Sequence, residues 1–252
     1  MKFWAQYAVL TTWPDSAYAR RGAEGLLWQH EIRGMAWGLR NLVDCATYLP
    51  DLDPDKPAFV YMAERNLENF DRYAESYASP LGTVFDEKNS GSGTQTGTYV
   101  SPVAWQYGHL AWALDHALDH GFRRGGIMRD RLIRVMLATV TTPGFNRDYA
   151  GQGWISIARR TTPIDYTGFA TWPEVFVSNW GSVPPPRPTL WVGYHAVEFR
   201  LGILIARDLN LSSATEAFSF VNSLNDNGHV MNELTRTKPG WAIERSSGRV
   251  AR

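Results

Sequence analysis

Three stretches of the chain open on a tryptophan, reach a histidine two to four residues later and continue in a helical pattern. They are WQHEIRGMAWGLRNL at 28–42, WQYGHLAWALDH at 105–116 and WVGYHAVEFRLG at 191–202. Between them they hold the residue types that move protons or fix charge: His30, Glu31 and Arg33, then Tyr107 and His109, then Tyr194, His195 and Glu198. Imidazole, carboxylate and phenol are the common groups of general acid–base chemistry. A carboxylate placed like Glu31, at a helix start, is kept ionised by the helix dipole. Each residue also has a structural reading: Glu31 pairs with Arg33 or another arginine, and each histidine hydrogen-bonds at a helix start.

Three histidines from three helices form an inventory of metal ligands. None has the HExxH spacing that makes a metal site specific. Cys45 is the single cysteine, which excludes an intramolecular disulfide and a cysteine-based zinc site. It falls in an apolar helical pattern and reads as a buried, inert thiol. No metal and no cofactor is expected.

The chain has 11 Trp, 11 Tyr and 11 Phe among 252 residues. Such rings stack well on sugars or on a partner surface. Trp28, Trp105 and Trp191 read equally as packing residues that repeat with the helices or as stacking residues. Trp154, Trp172 and Trp180 fall in an expected loop and are the better candidates for an exposed platform. Lys+Arg and Asp+Glu both number 25, so bulk charge points to neither nucleic acid nor a membrane surface. No stretch approaches the run of about 20 apolar residues that a membrane span needs. The opening MKFWAQYAVLTTW makes a poor signal peptide, and the compartment stays open.

Six helices must position these residues. Apolar steps of three and four predict a first helix over about 25–48, in which Gly34 and Gly38 imply the close approach of another backbone. A second is predicted over 57–77 behind Asp55 and Pro57, and a third from Pro102 to about His120, stopped by Gly121. The fourth spans about 126–141, and the fifth 190–208, apolar nearly all round at its centre. The sixth starts at a Ser213–Glu216 capping box and ends near 227. Segments 1–22, 79–100 and 145–189 read as irregular, with WISIAR at 154–159 able to form a short strand, and 229–252 as a polar tail.

Short turns follow the odd helices and long segments precede them. In an up–down arrangement this gathers the long segments, with the Trp/His openings, at one end of an all-α, single-domain bundle of antiparallel helical hairpins. Sites are commonly built at such ends.

This succession of hairpins with long aromatic loops resembles the (α/α) toroids of the six-hairpin glycosidase and polysaccharide lyase superfamily. The resemblance covers about residues 23–228 and rests on architecture. It implies an incomplete (α/α) toroid holding a polysaccharide or oligosaccharide in a cleft at the loop-rich end. Three hairpins are half of such a ring. The chain is thus an incomplete toroid, a piece of a longer protein, or a half completed by another copy in a homo-oligomer.

A toroid glycosidase needs two carboxylates about 5 to 9.5 Å apart, which Glu31 with Glu198, Asp86, Glu87 or Asp148 would supply. A toroid lyase uses a tyrosine or histidine as base and neutralises a uronate carboxylate, roles open to Tyr194, His195, His109 and Arg33. The catalytic candidates are therefore Glu31, His30, His109, Tyr194, His195 and Glu198. The substrate-binding candidates are Trp28, Arg33, Trp105, Tyr107, Trp154, Trp172, Trp180 and Trp191. The expected function is that of a carbohydrate-active protein, hydrolase or lyase; the alternative is a non-catalytic glycan- or protein-binding module. A prenyl-binding helical fold is disfavoured by the lack of a DDxxD-like motif. His116 and His120, late in the third helix, are expected to stabilise its C-terminus rather than join the site.

Overall fold

The computed structural model describes residues 1–10, 26–27, 32–84, 99–100, 104–151, 155–160, 166–182, 193–226 and 229–230. Among them run eight α-helices: α1 (Lys2–Leu10), α2 (Ile32–Tyr48), α3 (Lys56–Ser76), α4 (Ala104–Asp119), α5 (Gly126–Thr141), α6 (Trp172–Trp180), α7 (Gly193–Asp208) and α8 (Ala214–Asn222). Five strands of two or three residues accompany them: β1 (Tyr99–Val100), β2 (Ala158–Arg160) and β3 (Tyr166–Gly168) in an antiparallel sheet ordered β1-β2-β3, and β4 (Asn225–Asp226) paired with β5 (His229–Val230). The protein is helical, and no described helix is long and apolar enough to cross a membrane.

Two segments expected to be irregular contain helices. Residues 2–10 form α1, whose Ala5 and Val9 are buried while Phe3, Trp4 and Tyr7 face outward. Its apolar stripe is too short to stand out beside three aromatics. Within 145–189, a 3₁₀ turn over Arg147–Tyr149, strand β3 and α6 stand where loop was expected, and β2 overlaps the end of the WISIAR stretch read as able to form a strand. Helix α6 begins at a formed capping box, with the Thr171 hydroxyl accepting from the Glu174 N–H and the Glu174 carboxylate accepting from the Thr171 N–H. The box expected at Ser213 does not form. Ser213 has φ +62°, in the left-handed region rather than the extended backbone of a capping residue, and makes no side-chain cap.

Stops behave as the chemistry requires. Gly121 has φ +89°, and the Phe122 N–H reaches the Ala117 carbonyl across it, the αL stop that glycine allows without a Cβ clash. Asn210, at φ +54°, ends α7 in the same way through Leu211 N–H and Ala206 O.

Helix α4 is central. It contacts α2, α5 and α7, and α7 also contacts α5 and α8. Tyr107, Leu110, Ala111, Ala113, Leu114 and Ala117 of α4 are fully buried. Where α4 meets α7 the two backbones nearly touch: a β-carbon on Gly108 would lie 1.8 Å from the Glu198 carbonyl oxygen. Gly202 faces Gly108 with Met136 beside it. On α2, Gly38 does accommodate a close neighbour, but that neighbour is the Leu27 side chain with Ala8 of α1 behind it.

Candidate functional site

Helices α2 and α4 meet in parallel along a seam of constant register. Trp37 contacts His109, Arg40 covers Trp112, Asp44 binds His116 and Tyr48 binds His120, each pair 72 residues apart. Both helices supply these side chains at steps of three and four residues, so on each they line one face.

The seam begins at a buried pair. His109 Nδ1 lies 3.3 Å from Glu198 Oε1, and both side chains are 6% exposed. The contact lacks hydrogen-bond alignment: among the described residues, His109 Nδ1 and Glu198 Oε2 are buried without a hydrogen-bond partner. Arg40 Nε is a third such atom. Buried polar atoms are normally satisfied, and a cluster that is not invites a functional explanation.

Two indole rings flank His109. Trp37 meets the His109 ring edge-on with centroids 4.9 Å apart, and Trp112 lies at 5.8 Å. The Arg40 guanidinium sits 4.0 Å from the Trp112 ring centre and 5.3 Å from that of Trp37, within cation–π range. Burial lowers the pKa of Arg40, partly opposed by the charge of Asp44.

Asp44 follows one turn after Arg40. Burial alone would raise its pKa, but the His116 hydrogen bond and the charges of His116, Arg40 and His120 hold it below the ordinary value. His116 Nε2 is 2.8 Å from Asp44 Oδ1, and the His116 and His120 rings stand edge-to-face with centroids 4.4 Å apart. Burial, then the charge of His116, lowers the pKa of His120, while Asp44 and Asp119 act oppositely. The Tyr48 hydroxyl and His120 Nε2 are 3.1 Å apart. His116 and His120 thus continue the seam rather than stand outside it. His116 lies two turns from His109, about 10 Å along the axis.

Of the candidates from sequence, His109 and Glu198 are brought together. Arg33 lies at the start of α2, and its backbone N–H donates to Gln106 Oε1 at 2.9 Å, tying the first turns of α2 and α4. Tyr107 is buried and accepts from the Val84 N–H while its hydroxyl donates to the Val84 carbonyl. That places it in the fold's packing rather than on a substrate surface.

Trp172 is 7% exposed and packs on Phe145, while half-buried Trp180 packs on Phe145 and Phe176. They form a small aromatic core in place of the expected exposed platform, because α6 turns that side inward. Trp28, His30, Glu31, Trp154 and Trp191 lie outside the described residues, as do the side chains of Trp105, Tyr194 and His195.

Sequence reasoning passed over Trp37, Arg40, Asp44 and Trp112. Their signal was present as aromatic and charged residues at helical spacing on the faces left by the apolar stripes. Among the described residues no group of three histidine, cysteine or acidic side chains is placed to hold a metal ion. No family model, curated protein or solved structure matches this chain.

Proposed function

We propose that the chain is a carbohydrate-active protein of lyase type, working at the His109–Glu198 pair. The observation that carries this reading is the convergence of three buried polar atoms without a hydrogen-bond partner among the described residues, on His109, Glu198 and Arg40, beside two indoles. With Nδ1 turned to the Glu198 carboxylate at 3.3 Å, Nε2 is the ring nitrogen left to accept a proton. His109 then removes the proton α to a uronate carboxylate, the Arg40 guanidinium offsets the charge developing there, and Trp37, which is half exposed, offers a sugar-stacking face. The bond to the leaving sugar oxygen breaks as the C4–C5 double bond forms, and that oxygen takes up a proton from solvent water. Hydrolysis is less well supported, since it calls for two carboxylates about 5 to 9.5 Å apart, and the ionisable partner of Glu198 among the described residues is a histidine. Contacts between the neighbouring helices α2 and α3, α4 and α5, and α7 and α8 support reading them as three hairpins of an (α/α) toroid.

The test is incubation with uronate-containing polysaccharides while absorbance of the unsaturated product is followed. Product formation that is lost in both His109→Gln and Glu198→Gln, with folding retained, supports the reading. Reducing ends without unsaturation would indicate hydrolysis instead. The second reading is a non-catalytic binding module, favoured by Phe3, Trp4 and Tyr7, which are 65%, 60% and 50% exposed on α1. It requires glycan retention without any product.

A further inference from the structure

The α2–α4 seam ends on a pair of side chains that carry no fixed charge. Tyr48 is the last residue of α2, and His120 directly follows α4. The Tyr48 hydroxyl lies 3.1 Å from His120 Nε2, and the two rings meet edge-on with centroids 5.2 Å apart. Both helices stop here, and Gly121 turns the chain away at φ +89°.

His120 borders two environments. On one side stand Tyr48 and, one helical turn back, the His116 ring at 4.4 Å. On the other is a cavity of about 400 Å³, larger than an imidazole ring. The groups around His120 are Asp44 and Tyr48 from α2, with Arg40 a turn further up, and His116 and Asp119 from α4. Glu64 and Glu68 of α3 line the cavity with it, as do Arg123 and Arg124 of the following turn. Asp44, the carboxylate of the seam, is already bonded to His116 at 2.8 Å. With one imidazole protonated, that carboxylate offsets the charge. With both protonated, two cations stand edge-to-face, and the second is opposed where it stands. The Tyr48 hydroxyl donates to a neutral ring or accepts from a charged one. The neighbouring imidazolium, not this hydrogen bond, therefore decides where His120 sits.

We propose that Tyr48 and His120 form a pH-operated clasp, independently of the reaction proposed above. When both histidines are protonated, His120 leaves Tyr48 and swings into the cavity beside α3, so that the ends of α2 and α4 part while Asp44 keeps His116. When the pH rises, the imidazole becomes neutral and returns to Tyr48. Burial and the charge of His116 lower the pKa of His120, which sets the opening below the ordinary 6.5.

The test is solution NMR of the full chain, titrated downward from pH 8 until both imidazoles show the shift of the charged form. The nuclear Overhauser contact between the Tyr48 and His120 rings is expected at pH 8 and lost at the end of the titration, with far-UV circular dichroism unchanged. A contact from His120 to Leu67 or Phe122, which line the cavity, should replace it. His116→Asn removes one cation and keeps a donor for Asp44. In that variant His120 is expected to titrate at higher pH and to keep its contact with Tyr48 once protonated. Retention of the ring contact in the parent with both imidazoles charged overturns the proposal. So does loss of the contact in parent and His116→Asn alike, or a loss that comes only with the helical signal.

Discussion

Glu198 meets two successive residues of α4 in two ways. Its backbone carbonyl lies where a side chain on Gly108 would begin, and its carboxylate reaches His109 at 3.3 Å. Close packing of the helices and placement of the buried pair thus share one cause, the absence of a β-carbon at position 108. Gly108→Ala forces α4 and α7 apart and is expected to cost roughly 3 kcal/mol. For a chain of this size that is a fall in melting temperature of roughly 6–12 °C. A melt within a degree of the parent would show that the helices do not approach as described.

The buried pair itself has an energetic signature. Removing one partner leaves a polar group in the interior with nothing to face, whereas replacing both by neutral groups of similar shape is often tolerated. His109→Ala is expected to cost about 3 kcal/mol, while His109→Gln combined with Glu198→Gln stays within about 1 kcal/mol of the parent. Denaturant titration of the two variants measures this. If the double variant is the less stable of the two, the pair is a stabilising element and its claim to a chemical role weakens.

The seam also sets a dependence on pH. The pKa of His120 is lowered from its ordinary 6.5, by burial first and by His116 second, so the unfolded chain binds that proton more readily. Stability is therefore expected to fall as pH drops below about 6.5, and to level once His120 is protonated in the folded state. Asp44 is held below its ordinary 3.8, so its contribution is present above that value and disappears as pH falls through the lower folded-state pKa. Unfolding midpoints measured from pH 8 to 3 should show two declines. His120→Asn should flatten the upper one and Asp44→Asn the lower, whereas declines that persist unchanged in these variants would assign them to other groups.

Helix α5 was legible to the residue from its apolar spacing, and α3, α4 and α7 to within about three. The strength of the pattern explains this: long helices packed on a central α4 need continuous stripes. In helices α1 and α6, nine residues each, a two-turn stripe is masked by aromatics on the other faces. In α6, Thr171-Trp-Pro-Glu174 carried the capping signal, hidden by the surrounding aromatics. The candidate site was half legible. His109 and Glu198 stood out as ionisable residues in a repeated context, while Trp37, Arg40, Asp44 and Trp112 acquire meaning only through the 72-residue register between α2 and α4. No spacing within one helix encodes that register.

A tertiary cap on α5 gives the last prediction. Gly125 precedes the helix in a left-handed conformation, φ +99°, and no local side chain caps the exposed amides. Asp71, reaching from α3 and only 5% exposed, accepts from the Gly125 N–H at 2.7 Å and the Met128 N–H at 3.1 Å. One carboxylate thereby satisfies two amides at the positive end of the helix dipole and fastens α3 to α5. Asp71→Ala leaves both donors without a partner and is expected to cost about 2 kcal/mol. Asp71→Asn keeps one acceptor oxygen and should cost about half as much. Hydrogen exchange at Gly125 and Met128 should quicken in the alanine variant ahead of amides in the middle of α5. Unchanged protection at those two positions would mean that the helix start is held by some other group.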